Sequence, residues 1–336
     1  MNEPVRIGVI GAGGMGSSHA QGIKTLQRAR VAAVSDSDEA RGRKLAGDMG
    51  VPWFGDYQQM LREGEIDAVS IASPPFMHKE MALAASAAGK HIFCEKPMAV
   101  NVADCEAMIQ AAQQAGVTLM VGQVLRFLMP FLKVRELVDG GAIGRPIGVE
   151  VTRISGGSGG VWSVPWRAHL EQSGGLLMEI NAHEIDLLRC LGGDVASVYA
   201  EADNYVHPDA DYPDLAFVLL RFRNGAIGSL YSSNACPLGE TSGKVQGTEG
   251  AIRYNGWGKR GSIELRRMRD SEPTVFRLEE LDAPPGVAYE LDRFAEAVLT
   301  GTTPVVTGLD GLKVVEIARA AYTSAKEHRQ VTLPER

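Results

Sequence analysis

The sequence predicts a two-domain α/β protein. A doubly wound parallel sheet comes first, and an α+β domain with a large, mostly antiparallel open sheet follows. Three observations carry this. Through about residue 123, short apolar runs alternate with helical stretches, the βαβα order of a parallel sheet with helices on both faces. The second half instead strings strand-like runs together, with Asn224-Gly225 between two of them as a hairpin turn. The 336 residues also suit two domains better than one. The expected division is 1–123 and 124–336.

The first strand, over 6–10, carries Ile7, Val9 and Ile10. Behind it runs Gly11-Ala12-Gly13-Gly14-Met15-Gly16, with glycines in the G-x-G-x-x-G order. Gly11 permits a tight turn out of the strand, Gly13 lets the backbone approach a pyrophosphate, and Gly16 lets the next helix pack close to the sheet. That helix, expected over 17–27 and opening near Met15, aims unpaired N–H groups and a positive dipole end at the phosphates. A second apolar run, 31–34, leads to Asp36, about 20 residues past the last glycine, where a ribose-binding acid belongs. Together these predict a Rossmann dinucleotide site. A carboxylate there accepts ribose hydroxyls and repels a 2′-phosphate, which favours NAD over NADP. Ser35, Ser37, Arg41 and Arg43 either soften that preference or form the solvated first turn of the next helix.

The alternation continues with a helix over 38–49, stopped by Gly50-Val51-Pro52, a short strand at 53–54 and a helix over 57–62. Strands follow at 68–72, 91–94 and 118–121, with helices over 78–88 and 102–115 between them. Ligands of such sheets bind outside the carboxyl ends of the strands. One such end runs into Ser73-Pro74-Pro75 and His78, a loop stiffened by proline along the cofactor. His78 either faces that cofactor or bonds the backbone at its helix start. The strand HIFC runs into Glu95-Lys96-Pro97. A lysine there points into the crevice and can hold a substrate hydroxyl and exchange a proton with it. Glu95 either holds that lysine or joins it in a surface salt bridge, and Glu95, Lys96 and Gln123 are expected among the cofactor contacts. The next strand ends at Gly122-Gln123, at the crevice rim.

The N-terminal glycines, SPPFMH and CEKP together resemble the Gfo/Idh/MocA oxidoreductase family, which includes inositol and sugar dehydrogenases. Residues 173–193, SGGLLMEINAHEIDLLRCLGG, resemble its glycine pair, acidic residue and H-x-x-D helix, and VQGTEGAI at 245–252 resembles its sheet motif. The match spans nearly the whole chain. It implies Lys96 as the catalytic lysine, His183 as the catalytic histidine, and Asp186 as the aspartate one turn later. Inositol dehydrogenase-like members carry Asp four residues before the histidine; here Glu179 stands there. Glu179 therefore orients His183 or the substrate, or is structural. The resemblance also implies a homodimer or homotetramer formed through the second domain's sheet.

In the second half, 123–139 reads as a linker into a helix stopped by Gly140-Gly141. Arg126 lies close to the crevice, within reach of substrate or cofactor. A strand over 146–154 precedes SGGSGG at 155–160 and VWSVPWR at 161–167. Trp162, Trp166 and Arg167 suit a wall over a sugar, with indoles on its apolar faces and Arg donating to hydroxyls, or else they pack a core. On a helix over 176–191, residues 179, 183 and 186 fall on one polar face, and Asn181 points away from it unless an irregular start turns it inward. Further strands are expected at 195–206, 215–223, 226–233, 244–246, 251–254, 262–267 and 274–278, then helices over 287–299 and 309–326.

Hydrophobic residues make up 45% and charged residues 22%, ordinary for a globular chain. A net charge of −7 gives no support for nucleic-acid binding. The opening MNEPVRIGVI lacks the features of a signal peptide, and no segment reaches the roughly 20 apolar residues of a membrane span. A cytoplasmic enzyme is therefore expected. The four cysteines match no C-x-x-C or zinc pattern, so free thiols and no metal are expected. The function expected is NAD-dependent oxidation of a secondary alcohol on a cyclic polyol, sugar or sugar derivative. The alternatives are an NAD-using hydrolase or lyase with transient sugar oxidation, an NADPH-dependent reductase, and a non-catalytic dinucleotide sensor.

Overall fold

The computed structural model describes residues 3–155, 164–258, 260–282 and 286–336. The chain forms two compact units. The first holds everything up to Val124 and a later segment ending at Lys313.

In the first unit, β1 (Val5–Ile10), α1 (Gly14–Lys24), β2 (Ala29–Ser35), α2 (Glu39–Met49), β3 (Trp53–Phe54), α3 (Tyr57–Glu63), β4 (Ala68–Ile71), α4 (His78–Ala87), β5 (His91–Glu95), α5 (Val102–Ala115) and β6 (Leu119–Gly122) alternate as expected. The six strands are parallel and ordered β3-β2-β1-β4-β5-β6. Helices on both faces require strands apolar throughout, and all four residues of β4 are buried. Ile7, Val9, Ile71, Ile92, Phe93 and Met120 are fully or almost fully enclosed. Asp38, Asp56 and Asn101 cap α2, α3 and α5 by accepting backbone N–H groups, as short polar side chains do at helix starts.

The linear division at 123/124 misses one exchange. Helix α9 (Gly286–Thr300) belongs to the first unit, not to the second domain. It lies on α1, where Gly22 leaves room for Ala288 and Arg28 pairs with Asp292 at 2.6 Å. Burial of an amphipathic face fixes such a contact, and it leaves no mark at a distance of 264 residues.

The second unit holds α6 (Met129–Asp139), β7 (Pro146–Ile154), α7 (Leu170–Ser173), α8 (Ala182–Gly192), β8 (Val195–Asp203), β9 (Leu215–Phe222), β10 (Ile227–Ser233), β11 (Glu240–Gly247), β12 (Gly250–Asn255), β13 (Ser262–Arg267), β14 (Thr274–Arg277) and β15 (Val331–Thr332). Helix α10 (Gly308–Glu327) precedes β15. Among the described residues, nine strands form one sheet, ordered β14-β13-β12-β11-β7-β10-β9-β8-β15. Every pairing is antiparallel except β7 with β10. Helix α8 covers β7 and β10. On β9, Ala216, Val218, Leu220 and Phe222 are buried while Phe217 and Leu219 stand on the open face, the period-2 pattern of a sheet covered on one side. Asn224-Gly225 forms the expected hairpin, with Gly225 at φ 87°.

One expected helix is interrupted. The helix over 176–191 is not continuous: Leu176–Ile180 is a π-helical turn, Asn181 leaves helical geometry at φ −100° and ψ 11°, and α8 begins at Ala182. Asn181 is fully buried and its Oδ1 accepts the Ser232 hydroxyl at 2.6 Å. That side-chain bond, made by a residue that competes with helical bonding, accompanies the break. The extra residue per turn rotates Glu179 relative to His183 and removes the ideal spacing.

Candidate active site

The glycine turn follows from steric exclusion. Gly11 sits at φ +97°, and a Cβ there would lie 2.8 Å from the Ala72 carbonyl oxygen. A Cβ on Gly16 would lie 1.7 Å from the Gly11 carbonyl oxygen, so α1 touches the turn directly. Gly13 and Gly14 meet nothing within 4 Å. Open space thus faces the start of α1, which carries no side-chain cap. A helix start of this kind, with Met15 partly exposed beside it, fits a diphosphate.

Asp36 follows β2 and closes on this turn. Its Oδ2 accepts the Ala12 N–H at 2.7 Å and its Oδ1 accepts the Asp38 N–H at 2.8 Å. Arg41 approaches the same carboxylate at 3.4 Å. Arg43 instead stacks over Trp53, 4.3 Å from the ring centroid, and pairs with Glu39 at 2.7 Å.

After β4, Ser73 and Pro74 are half-buried, with the Ser73 hydroxyl 3.2 Å from Met81 Sδ. His78, expected as a cofactor contact, is fully buried. Its Nε2 lies 2.8 Å from the Ser73 carbonyl and its Nδ1 3.0 Å from the Pro97 carbonyl. The ring ties the SPP loop to the EKP loop and offers no surface to a ligand. Two carbonyl acceptors favour the charged ring, but complete burial opposes it and prevails, so its pKa is lowered.

Lys96 follows β5 and is half-buried, and its peptide bond to Pro97 is cis. Glu95, also expected at the cofactor, turns inward instead and is 6% exposed. Its Oε2 accepts the Lys96 N–H at 2.9 Å and its Oε1 lies 2.9 Å from His19 Nε2. A buried carboxylate needs such donors. Gln123, expected at the crevice rim, is 1% exposed. His19 escaped the sequence reading, although it falls on the buried face of α1 with Gly16, Ala20 and Ile23.

The second unit gathers two further groups. Arg126, expected to meet substrate, is bound bidentately to Asp186, with Nε and Nη2 each 2.6 Å from a carboxylate oxygen. Their side chains are 11% and 2% exposed, and a carboxylate so deeply buried must be paired. Both line a small hollow together with His183, Phe131, Arg135 and Cys190. In the other group, Glu179 Oε1 lies 3.0 Å from Arg167 Nε. The Arg167 guanidinium sits 5.1 Å from the Trp166 ring centroid, and its carbonyl accepts the Tyr212 hydroxyl at 2.7 Å. Burial, with Glu179 nearby, pushes the Tyr212 phenol up. Trp162 and most of SGGSGG lie outside the described residues.

Cys94, Cys105, Cys190 and Cys236 are free, the first two buried. Burial raises the thiol of Cys105 to about 12, and likewise that of Cys190. Among the described residues, no group of three or more His, Cys, Asp or Glu is arranged for a metal, and no helix is long and apolar enough to cross a membrane.

Glycine turn, uncapped helix and strand-end carboxylate define an NAD-binding Rossmann oxidoreductase, and residues 5–123 match the family described as "Oxidoreductase family, NAD-binding Rossmann fold". Residues 131–253 match the GFO/IDH/MocA C-terminal domain. The chain belongs to the Gfo/Idh/MocA oxidoreductase family. It is 33% identical to a myo-inositol 2-dehydrogenase of Thermotoga maritima, over 98% of this chain and 99% of the relative. It is 29% identical to a 2,7-anhydro-N-acetylneuraminate hydratase of Mediterraneibacter gnavus, over 99% and 98%. Among solved structures, an oxidoreductase from Agrobacterium radiobacter in complex with NAD+, L-tartaric acid and magnesium superposes with a TM-score of 0.89 at 26% identity, each chain covered over 98%.

Proposed function

We propose that the protein is an NAD-dependent dehydrogenase acting on a secondary alcohol of a cyclic polyol, sugar or sugar derivative. The observation that carries this is Lys96, the half-buried lysine at the carboxyl end of β5, on the sheet whose glycine turn fits a dinucleotide. The similarity to a myo-inositol 2-dehydrogenase supports the substrate class.

Gly11–Gly16 would hold the diphosphate by backbone N–H groups, and Asp36 the ribose hydroxyls. When bound, NAD supplies the hydride acceptor. The chain's own part is to bind, orient and move a proton. Lys96 Nζ holds the oxygen of the reacting hydroxyl. In the second unit, His183 is read as the proton acceptor, since imidazole suits exchange near neutral pH. Arg126, Trp166, Arg167 and Glu179 are read as substrate-side residues, Arg126 acting from its pair with Asp186. Absorbance of NADH, followed across inositols, aldoses and glycosides, tests the reading; no NADH with any of them overturns it.

A second reading is NAD-using hydration or elimination with transient oxidation, favoured by the likeness to a hydratase. It gives altered or cleaved sugar with no net NADH, so product analysis in the same screen separates the two.

The open face of the nine-stranded sheet carries Phe217, Leu219 and Ile227, each at least 50% exposed, with Phe217 stacked on Tyr231 at 4.4 Å. We read this face as the seat of a second copy, in a homodimer or homotetramer. The working compartment on this reading is the cytoplasm, where the nicotinamide pool resides.

A further inference from the structure

His19 lies wholly inside the first unit, and no part of the chemistry above uses it. It stands on α1, the helix that opens from the glycine turn, and it is 0% exposed. Its ring reaches across two neighbouring strands. Nδ1 lies 2.7 Å from the Ser70 hydroxyl on β4, and Nε2 lies 2.9 Å from Glu95 Oε1 at the end of β5. With Nε2–H donating to the carboxylate, Nδ1 accepts the Ser70 hydroxyl, and both ring nitrogens are satisfied. The edge of the ring meets Phe93, with centroids 5.4 Å apart at 83°.

Glu95 continues the path, because its other oxygen accepts the Lys96 backbone N–H at 2.9 Å. Gly122 on β6 leaves the space that this carboxylate fills; a Cβ there would lie 3.1 Å from Oε1. At the other end, α1 has no freedom to slide over the turn, since Gly16 already touches the Gly11 carbonyl. Two hydrogen bonds therefore join the helix at the phosphate site to the backbone of Lys96.

We propose that His19 is a positioning residue that ties the helix receiving the cofactor's phosphates to the loop presenting Lys96. Filling the glycine turn then sets the place of the lysine before any substrate arrives. The proposal rests on the reading of Lys96 as the lysine that holds the substrate. Misplacement by about 1 Å costs on the order of 10²-fold in rate, so the tie matters to turnover even though His19 touches neither ligand.

The test uses the full chain with its lysines ¹³C-methylated and the Lys96 resonance assigned by Lys96→Arg. The probe is ADP-ribose, which carries the diphosphate and adenosine but no nicotinamide. In the wild type, ADP-ribose shifts the Lys96 resonance. His19→Leu still binds ADP-ribose by calorimetry but loses the shift, and His19→Gln, which keeps a donor toward Glu95, restores it. In kinetics, His19→Leu lowers kcat by about 10²-fold with KM little changed. A wild-type Lys96 resonance blind to ADP-ribose, or a His19→Leu resonance that still responds, overturns the proposal. Should His19→Leu not fold, Glu95→Gln is read by the same resonance. Turnover of Lys96→Ala answers the other question separately: normal turnover removes the role of Lys96 and leaves the resonance experiment to judge the tie.

Discussion

Asp36 Oδ2 accepts the Ala12 N–H at 2.7 Å, so the acid at the end of β2 is bonded into the glycine turn. The second oxygen takes the Asp38 N–H at 2.8 Å. The carboxylate is thus anchored before a ribose arrives, with Arg41 3.4 Å away. Asp36→Asn keeps an acceptor for a backbone N–H but removes the charge. It should weaken NAD about tenfold, the scale of one hydrogen bond to a charged group, and raise the affinity for NADP as repulsion of the 2′-phosphate is lost. Calorimetry with both dinucleotides measures this, and an unchanged NAD-to-NADP ratio counts against the role of Asp36.

Lys96→Ala should lower turnover by about 10² to 10⁴-fold, the range of a positioned proton-transfer group. NADH binding, followed by its fluorescence, should persist, because the glycine turn and Asp36 are untouched.

His78 sets a pH window. Unfolded, its ring titrates near 6.5, and burial lowers that value in the fold. The fold prefers the neutral ring. This part of the stability is complete above about pH 6.5 and is lost as pH falls from there toward the lowered value. The slope attributable to one such group is at most about 1.4 kcal/mol per pH unit. Melting temperatures between pH 8 and 5 should fall on the acid side, and His78→Gln should flatten that slope. Equal slopes in the two proteins would remove His78 as the cause.

Asp186→Ala leaves the guanidinium of Arg126 buried opposite an empty place. Breaking a buried pair on one side costs about 3 to 5 kcal/mol. The variant should melt well below the wild type, and Asp186→Leu combined with Arg126→Leu should recover much of the loss. Arg189, 3.8 Å from the same carboxylate, loses that partner too, so a single variant as stable as the wild type shows that solvent alone satisfies the guanidinium.

Phe217→Asp places a charge on the open sheet face beside Tyr231 and Leu219. Light scattering should show the wild type as a dimer or tetramer and this variant as a smaller species. A monomeric wild type removes the interface reading.

Local pattern carried the first sheet far. Apolar runs and glycines each act within a few residues, so the alternation of strands with helices and the phosphate turn were legible from them. Much of the second sheet was legible for the same reason, through the alternation of β9 and the Asn224-Gly225 turn. β15 was not, because two residues bear no period, and β11 starts earlier than its apolar centre suggests.

Pattern along the chain was enough for the class of fold, the place of the dinucleotide turn, Asp36 at its strand end and Lys96 at another. Packing in three dimensions set what the polar groups around them face. It turned Glu95 from the cofactor toward His19 and the Lys96 backbone. It set His78 between two carbonyls, bound Arg126 to Asp186 and paired Glu179 with Arg167. The physical reason is common to all four. A polar group removed from water must find a partner, and the partner comes from whichever element packing brings near, however distant in the chain.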